Sequence, residues 1–195
     1  MEFCECKRKK EKKDGVLLCP VCDVSKPIIE EDKVIWERNP NDEIPEPHYD
    51  SSFTFDKDQF YLKKEVWQKL NLSNQGGIRF NKDKNLLVIF MDAPELYRKP
   101  SQGSNIYQDT YDKTTGLYQY TGAGQKGPQT LNKENGWLAN AEQNDTTIYF
   151  FRQFHVEQKH QYIGQVYVEK IITSWQPDNT GKRRRVFVFY LRSMK

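Results

Sequence analysis

Residues 107–131, YQDTYDKTTGLYQYTGAGQKGPQTL, decide how this chain is read, because no other part combines aromatics, acids and clustered glycines so densely. Tyr107-x-Asp109-x-Tyr111-Asp112 leads into a short turn at residues 114–116. Residues 117–121 resume as a strand, and Gly122-Ala123-Gly124-Gln125-Lys126-Gly127 follows as a loop in which the glycines free the backbone. Gln129-Thr130-Leu131 then precedes a helix containing Trp137-Leu138-Ala139-Asn140-Ala141. The order is strand, glycine loop, helix. No Gly-Lys-Ser/Thr closes a Walker spacing and no βαβ unit surrounds the glycines, so nucleotide triphosphate binding is disfavoured.

Outward from this stretch, the 195 residues are 36% hydrophobic and 13% aromatic, with eleven Tyr and eleven Phe. Aromatic side chains suit pleated, half-buried surfaces, so the expected core is β-leaning rather than helical. The length suits one ordinary domain with a small extra module. No stretch approaches the about 18 consecutive apolar residues of a membrane helix, and the N-terminus lacks a signal-peptide apolar region. A soluble, cytoplasmic protein with no membrane partner is expected.

Before the central stretch, residues 61–72 put Leu62, Val66, Trp67 and Leu70 on one helical face, with Trp67 read as core. Gly76-Gly77-Ile78-Arg79 reads as a turn into a hairpin whose second strand is residues 86–91. That run, LLVIFM, is apolar on both faces, as a buried central strand requires. The paired glycines serve the turn or let backbone approach a ligand closely. Residues 28–36 and 53–55 are expected as strands. Between them residues 39–52 hold three prolines and several acids, the composition of an exposed connector.

After the central stretch, residues 146–154 and 162–175 alternate as strands, a turn follows at residues 177–181, and residues 186–191 form the closing strand. Many short strands with one or two helices indicate an α+β, mainly β protein built as an antiparallel barrel. The net charge is only +3, but residues 7–13 hold six basic residues and one Glu, and residues 30–58 carry ten acids against three bases. Lys182, Arg183, Arg184 and Arg185 read either as a phosphate clamp or as charge guarding a sheet edge. His48, His155 and His160 are read as surface residues without the spacing of a nuclease metal site. Pro177-Asp178 has no acid-x-Lys partner on a following strand, so no catalytic residue is expected.

All four cysteines lie within residues 4–22. Cys4-x-Cys6 and Cys19-x-x-Cys22 are separated by twelve residues, the layout of a zinc ribbon in which four thiolates close a tetrahedron. A closed site has no open position for substrate, so the expected Zn2+ is structural. The expected layout is a zinc-ribbon-like module over residues 1–38, a linker over 39–52 and the main domain over 53–195. The basic run falls between the cysteine pairs, on a hairpin tip, as a phosphate contact or a solubilising loop.

Taken together, these motifs resemble the SRA (SET and RING associated, or YDG) domain, a PUA-like barrel that flips 5-methylcytosine out of DNA. The resemblance is carried by Tyr107 with its acids, by Tyr120-Thr121-Gly122-Ala123-Gly124, and by Gln129-Thr130-Leu131 with Asn135 and Leu138-Ala139. The chain is similar in particular to the bacterial branch linked to HNH nucleases in type IV restriction endonucleases. There Gly76-Gly77-Ile78, the glycine loop and Tyr162-Ile163-Gly164 are matched in the same order. The likeness spans residues 53–192 and leaves the cysteine segment uncovered.

The resemblance implies a binding module of a bacterial or archaeal restriction system. Its partner would be double-stranded DNA carrying 5-methylcytosine or a derivative, with cleavage supplied by a nuclease domain or subunit. It implies Tyr107 and Tyr120 as walls around the flipped base, Asp109 or Asp112 accepting from the exocyclic amine, and Thr121 and Gly122 backbone at the base edge. Gly76, Gly77, Arg79, Gln125, Lys126 and residues 182–185 would meet the DNA backbone. These residue types suit the task, since aromatic stacking of about 1–3 kcal/mol per base offsets the cost of unstacking.

Other readings stay open on the sequence. The tyrosines could be barrel core and the glycines mere turns. The domain could bind RNA, as other PUA-like modules do, or belong to a nuclease that reads another DNA modification such as phosphorothioate. A homodimer is compatible with each.

Overall fold

The computed structural model describes residues 11–13, 16–18, 32–48, 54–73, 76–92, 106–154 and 159–194. The chain divides into two units, Met1–Glu31 and Asp32–Lys195. In the first, β1 (Glu11–Lys13) and β2 (Val16–Leu18) pair antiparallel with Glu11 opposite Leu18, so Lys12 and Lys13 stand in a strand rather than on a tip. The four cysteines, and with them the expected metal site, lie outside the described residues.

The second unit begins with β3 (Lys33–Glu37), β4 (Phe60–Leu62), α1 (Lys63–Lys69), β5 (Ile78–Asn81) and β6 (Leu86–Met91). It continues with β7 (Thr110–Asp112), β8 (Leu117–Thr121), α2 (Lys133–Ala139), β9 (Thr147–Arg152), β10 (Lys159–Pro177) and β11 (Arg183–Ser193). Nine strands share one sheet in the order β5-β6-β9-β10-β11-β8-β7, with β3 and β4 added on β10.

The pairing of β3 corrects the expected module boundary. Trp36 stands opposite Ile171 in the β3–β10 ladder, so residues 33–37 belong to the larger unit and the break falls after residue 31, not residue 38. The connector is tied to the same unit: Arg38 Nη1 donates to the Glu43 carbonyl at 3.0 Å, and the His48 N–H donates to Gln165 Oε1 at 2.8 Å. The expected strand at residues 53–55 also moves. Phe55 is buried, but the strand is β4, and Phe55 fills the core from outside the ladder.

β6 shows why both faces of LLVIFM are apolar. Leu87, Ile89 and Met91 point into one core cluster with Tyr120, Phe150 and Phe189, whereas Leu86, Val88 and Phe90 point into another with Val66, Leu70 and Phe151. Burying each such side chain stabilises by about 1.5–3 kcal/mol, and α1 supplies the cover for the second face. Glu65 holds the start of α1 by accepting from the Leu62 N–H at 2.9 Å.

The sheet is mixed rather than purely antiparallel, because β6 and β9 run parallel with Ile89 opposite Phe150. A parallel neighbour needs a long return path, and the β7–β8 hairpin with α2 provides it. β10 serves two half-sheets: its first part pairs with β4 and β9, its second with β3 and β11. Register shifts at Tyr162/Gly164 and Val168/Lys170 bend it between them, and Gly164 takes a φ of 125° that favours glycine. The ends of β6 and β8 thereby converge on one side.

Candidate functional site

A cleft of about 580 Å³ opens where these strand ends meet. Tyr107 and Asp109 reach it from the segment before β7, Tyr120 from β8, and Ala123, Gly124 and Gln125 from the glycine loop. Gly76, Gly77 and Arg79 border it from the start of β5.

Tyr120 faces inward beside Tyr118 because the two are two residues apart on β8, and it is buried in the main core cluster while still lining the cleft. The paired glycines divide the two roles open on the sequence. Gly76 has a φ of 82°, the turn conformation. Gly77 is the close approach: a Cβ there would stand 2.6 Å from Tyr120 Oη.

The two competing acids also separate. Asp109 is buried, lines the cleft and accepts from the Thr121 N–H at 2.7 Å through Oδ1. Asp112 does not line it. Its carboxylate accepts from the Thr115 hydroxyl at 2.7 Å and the Thr114 N–H at 2.8 Å, and these bonds hold its pKa below the usual carboxylate value. It closes the turn between β7 and β8.

Thr121 and Gly122 do not line the cleft either, because their backbone is committed elsewhere. The Thr121 N–H goes to Asp109, the Gly122 N–H to the Phe187 carbonyl at 2.8 Å, and the Gly122 carbonyl accepts from Gln129 Nε2. Buried Asn135 completes the lock: its Oδ1 accepts from the Ala123 N–H at 2.6 Å, and its Nδ2 donates to the Ala123 and Thr130 carbonyls at 3.0 Å. A Cβ on Gly122 would lie 2.7 Å from Asn135 Oδ1, which is why glycine stands there. Tyr107 lies against this loop; burial raises its hydroxyl pKa, opposed by a hydrogen bond with the Gly124 backbone and by the charge of Arg184.

The basic residues sort by strand alternation. Arg183 and Arg185 are exposed and flank Trp175, their guanidiniums 5.6 and 5.7 Å from its ring centre. Arg184 points the other way, is buried, and donates through Nη1 to the Gly127 carbonyl at 3.2 Å. It buttresses the glycine loop and is not available to a phosphate. Lys126 and Lys182 are exposed, and Arg79 pairs with Glu134 at 3.6 Å beside the cleft. Asp178, dismissed as a nuclease acid, closes the turn before β11. Its Oδ1 accepts from the Thr180 hydroxyl at 2.6 Å and the Thr180 N–H at 2.8 Å, and its pKa falls to about 2.

Several lining residues lay outside the sequence reading. Lys63 and Trp67 of α1, with Phe90 and Asp92 at the end of β6, form the other wall. The signal was a lone acid closing an apolar strand; Trp67, read as core on the apolar helical face, gave none. His160, read as a surface turn residue, sits in β10, is buried, and meets Asp92 Oδ1 at 3.1 Å. His155 lies outside the described residues.

Among the described residues no group of His, Cys, Asp and Glu is arranged to hold a metal, and no helix is long and apolar enough to cross a membrane. A family model described as "ScoMcrA-like, SRA domain" matches residues 57–195. No curated protein matches the sequence. The structure described as "Sulfur binding domain and SRA domain of ScoMcrA complexed with phosphorothioated DNA" is similar at a TM-score of 0.56 and 16% identity, covering 72% of this chain and 40% of that one. The type IV phosphorothioation-dependent restriction endonuclease ScoMcrA gives 0.57 and 16%, covering 72% and 26%. An SRA domain of SUVH5 in a methylated CHH DNA complex gives 0.49 and 22%, covering 71% and 86%. This chain thus spans less than half the length of either ScoMcrA chain.

Proposed function

The chain belongs to the ScoMcrA-like SRA domain family, and from that premise we propose that it reads modified DNA by drawing a modified cytosine, 5-methylcytosine or a derivative, into the cleft. The observation that carries this is the convergence of Tyr107, Asp109 and Tyr120 on one cavity. A flipped base loses its stacking partners, and two aromatic side chains with a hydrogen-bonding carboxylate replace them. Asp109 is the acid for this role: a carboxylate offers about four lone-pair sites, so it can accept from an exocyclic amine while holding the Thr121 N–H. Asp112 is left to its turn. Arg183, Arg185, Lys126 and Lys182 are the residues proposed to meet phosphates, and their exposure supports this.

Recognition, not cleavage, is the role assigned to this chain. The nuclease belongs to another domain or chain of a restriction system, and modified plasmid incubated with Mg2+ or Mn2+ should stay intact. Zn2+ held by Cys4, Cys6, Cys19 and Cys22 is part of the proposal on spacing alone; metal analysis should find one ion per chain, and none after serine replacement of Cys19 and Cys22.

Fluorescence anisotropy with matched duplexes, with and without 5-methylcytosine, tests the reading. The modified duplex should bind more tightly, and equal affinity would remove base modification from the account. A second reading is favoured by the phosphorothioated DNA bound in one similar structure: recognition of a sulfur-bearing backbone. A phosphorothioate duplex preferred over the methylated one would establish it.

A further inference from the structure

A second concavity, a groove of about 690 Å³, lies on the β10–β11 ladder away from the base cleft. Strand alternation builds its floor: Thr173 stands opposite Phe187 and Trp175 opposite Arg185, with Arg183 two residues along β11 on the same side. Half-buried Trp175 has both guanidiniums near its ring, at 5.6 and 5.7 Å. Ile35 of β3 and Leu131 after the glycine loop, 43% and 40% exposed, add apolar surface.

The groove is also strongly positive. Lys182, Arg183, Arg184 and Arg185 line it against one acid, Asp178, whose Oδ1 already accepts from the Thr180 hydroxyl and from the Thr180 and Lys182 N–H groups. Among the described residues, buried Arg184 finds no hydrogen-bond partner for Nε or Nη2. A buried cation left short of partners is costly, and an anion in the groove would offset that cost.

Cations alone would suit the outside of a duplex, whose bases are stacked away and have no use for an apolar floor. Here the same surface supplies cations and an aromatic platform, so its ligand must bring negative charge and an apolar face together. An unpaired nucleotide has both. Its base stacks on an indole or a guanidinium plane, and its phosphate takes hydrogen bonds from arginine.

We propose that this groove binds a segment of single-stranded DNA, with one base stacked on Trp175 and the neighbouring phosphates held by Arg183 and Arg185. The site is separate from the base cleft, since no described residue lines both. The two share the glycine loop: Ala123, Gly124 and Gln125 border the cleft, and Gly127, Pro128 and Gln129 border the groove. The inference therefore goes beyond the base-pocket reading and does not rest on it.

The full chain is titrated by anisotropy with a short unmodified DNA strand and with the blunt duplex of the same sequence. Trp175→Ala should weaken binding of the strand about tenfold, the factor that one lost base stack supplies, and weaken the duplex less. Trp175→Phe keeps an aromatic face and should keep most of the affinity. Saturating strand should quench tryptophan emission, and Trp175→Phe should remove that quench, which a merely structural role for Trp175 would not predict. Replacing Arg183 and Arg185 together by Gln should lower the slope of log affinity against log salt by about 1.4, two phosphate contacts at about 0.7 each.

Equal losses for strand and duplex in Trp175→Ala overturn the proposal, as does a quench that survives in Trp175→Phe. Tighter binding of the matching RNA strand, or of a peptide alternating Glu and Phe, overturns it in favour of an RNA or an acidic protein partner. Displacement of the strand by deoxyadenosine monophosphate at equal nucleotide concentration would make the groove a free-nucleotide site instead. Modification preference is read on blunt duplexes alone, so the groove can fail with the base pocket intact, and the pocket with the groove intact.

Discussion

The two walls of the cleft are built by different means. One comes from a nearly continuous run, with Tyr107, Asp109, Tyr120 and the glycine loop held by neutral side-chain-to-backbone hydrogen bonds from Asn135 and Gln129. The other joins α1 to the end of β6 through an ion pair across 29 positions and aromatic packing on Phe90. The first wall is fixed by buried polar groups that tolerate no missing partner. The second rests on an ion pair that is only partly exposed.

Breaking the first wall should have the largest effect. Tyr120→Ala removes a core ring as well as a cleft wall, so an unfolding free energy lower by about 3–5 kcal/mol is expected in urea titration, with modification preference lost too. Asn135→Ala leaves the Ala123 N–H and the Ala123 and Thr130 carbonyls unsatisfied, for about 3 kcal/mol in the same measurement. Wild-type stability in that variant would mean that the loop is not held by Asn135.

Tyr107→Ala sharpens the contrast, because Tyr107 lines the cleft from outside the core cluster. The preference for modified DNA should fall about tenfold, as loss of a stacking face implies, while salt-sensitive binding to unmodified DNA persists and the urea midpoint barely moves. An unchanged preference would put the base elsewhere.

Acid should act on Asp92 in the second wall and on Asp178 in the turn before β11. Burial pushes the Asp92 pKa up, but hydrogen bonds from His160 and Lys63 outweigh it and hold the group below 3.8, while the Thr180 hydroxyl leads in taking Asp178 from 3.8 to about 2. A carboxylate depressed in the folded state stabilises fully above its unfolded pKa and loses that contribution as pH falls through the folded one. The thermal midpoint should therefore drop as pH falls from 3.8 towards 2, and Asp178→Asn should flatten that limb. The smallest effect belongs to Asp112→Asn, for which no change in binding preference is expected, in contrast to Asp109→Asn, which should weaken it.

The sequence showed the strand LLVIFM, the hairpin into β8 and the glycine loop because each is set by neighbours in the chain: apolar residues on both faces, a turn, a run of glycines. It left two acids in competition three residues apart, since nothing local says which side of β7 becomes interior. Of the four consecutive basic residues 182–185 that the resemblance set against the DNA backbone, Arg184 proved buried. The register of β11 against β10, with Trp175 opposite Arg185 and Gln176 opposite Arg184, decides which arginines face out.

The sequence by itself determined a mainly β chain with an aromatic core and one conspicuous aromatic, acidic and glycine-rich stretch, because periodicity and turn chemistry act over a few residues. Only the tertiary structure decided the boundary after residue 31, the parallel β6–β9 pair and that Asp109 rather than Asp112 lines the cleft. It also decided the second wall, because Lys63 and Asp92 become neighbours only when α1 packs over the end of a strand that lies far along the chain.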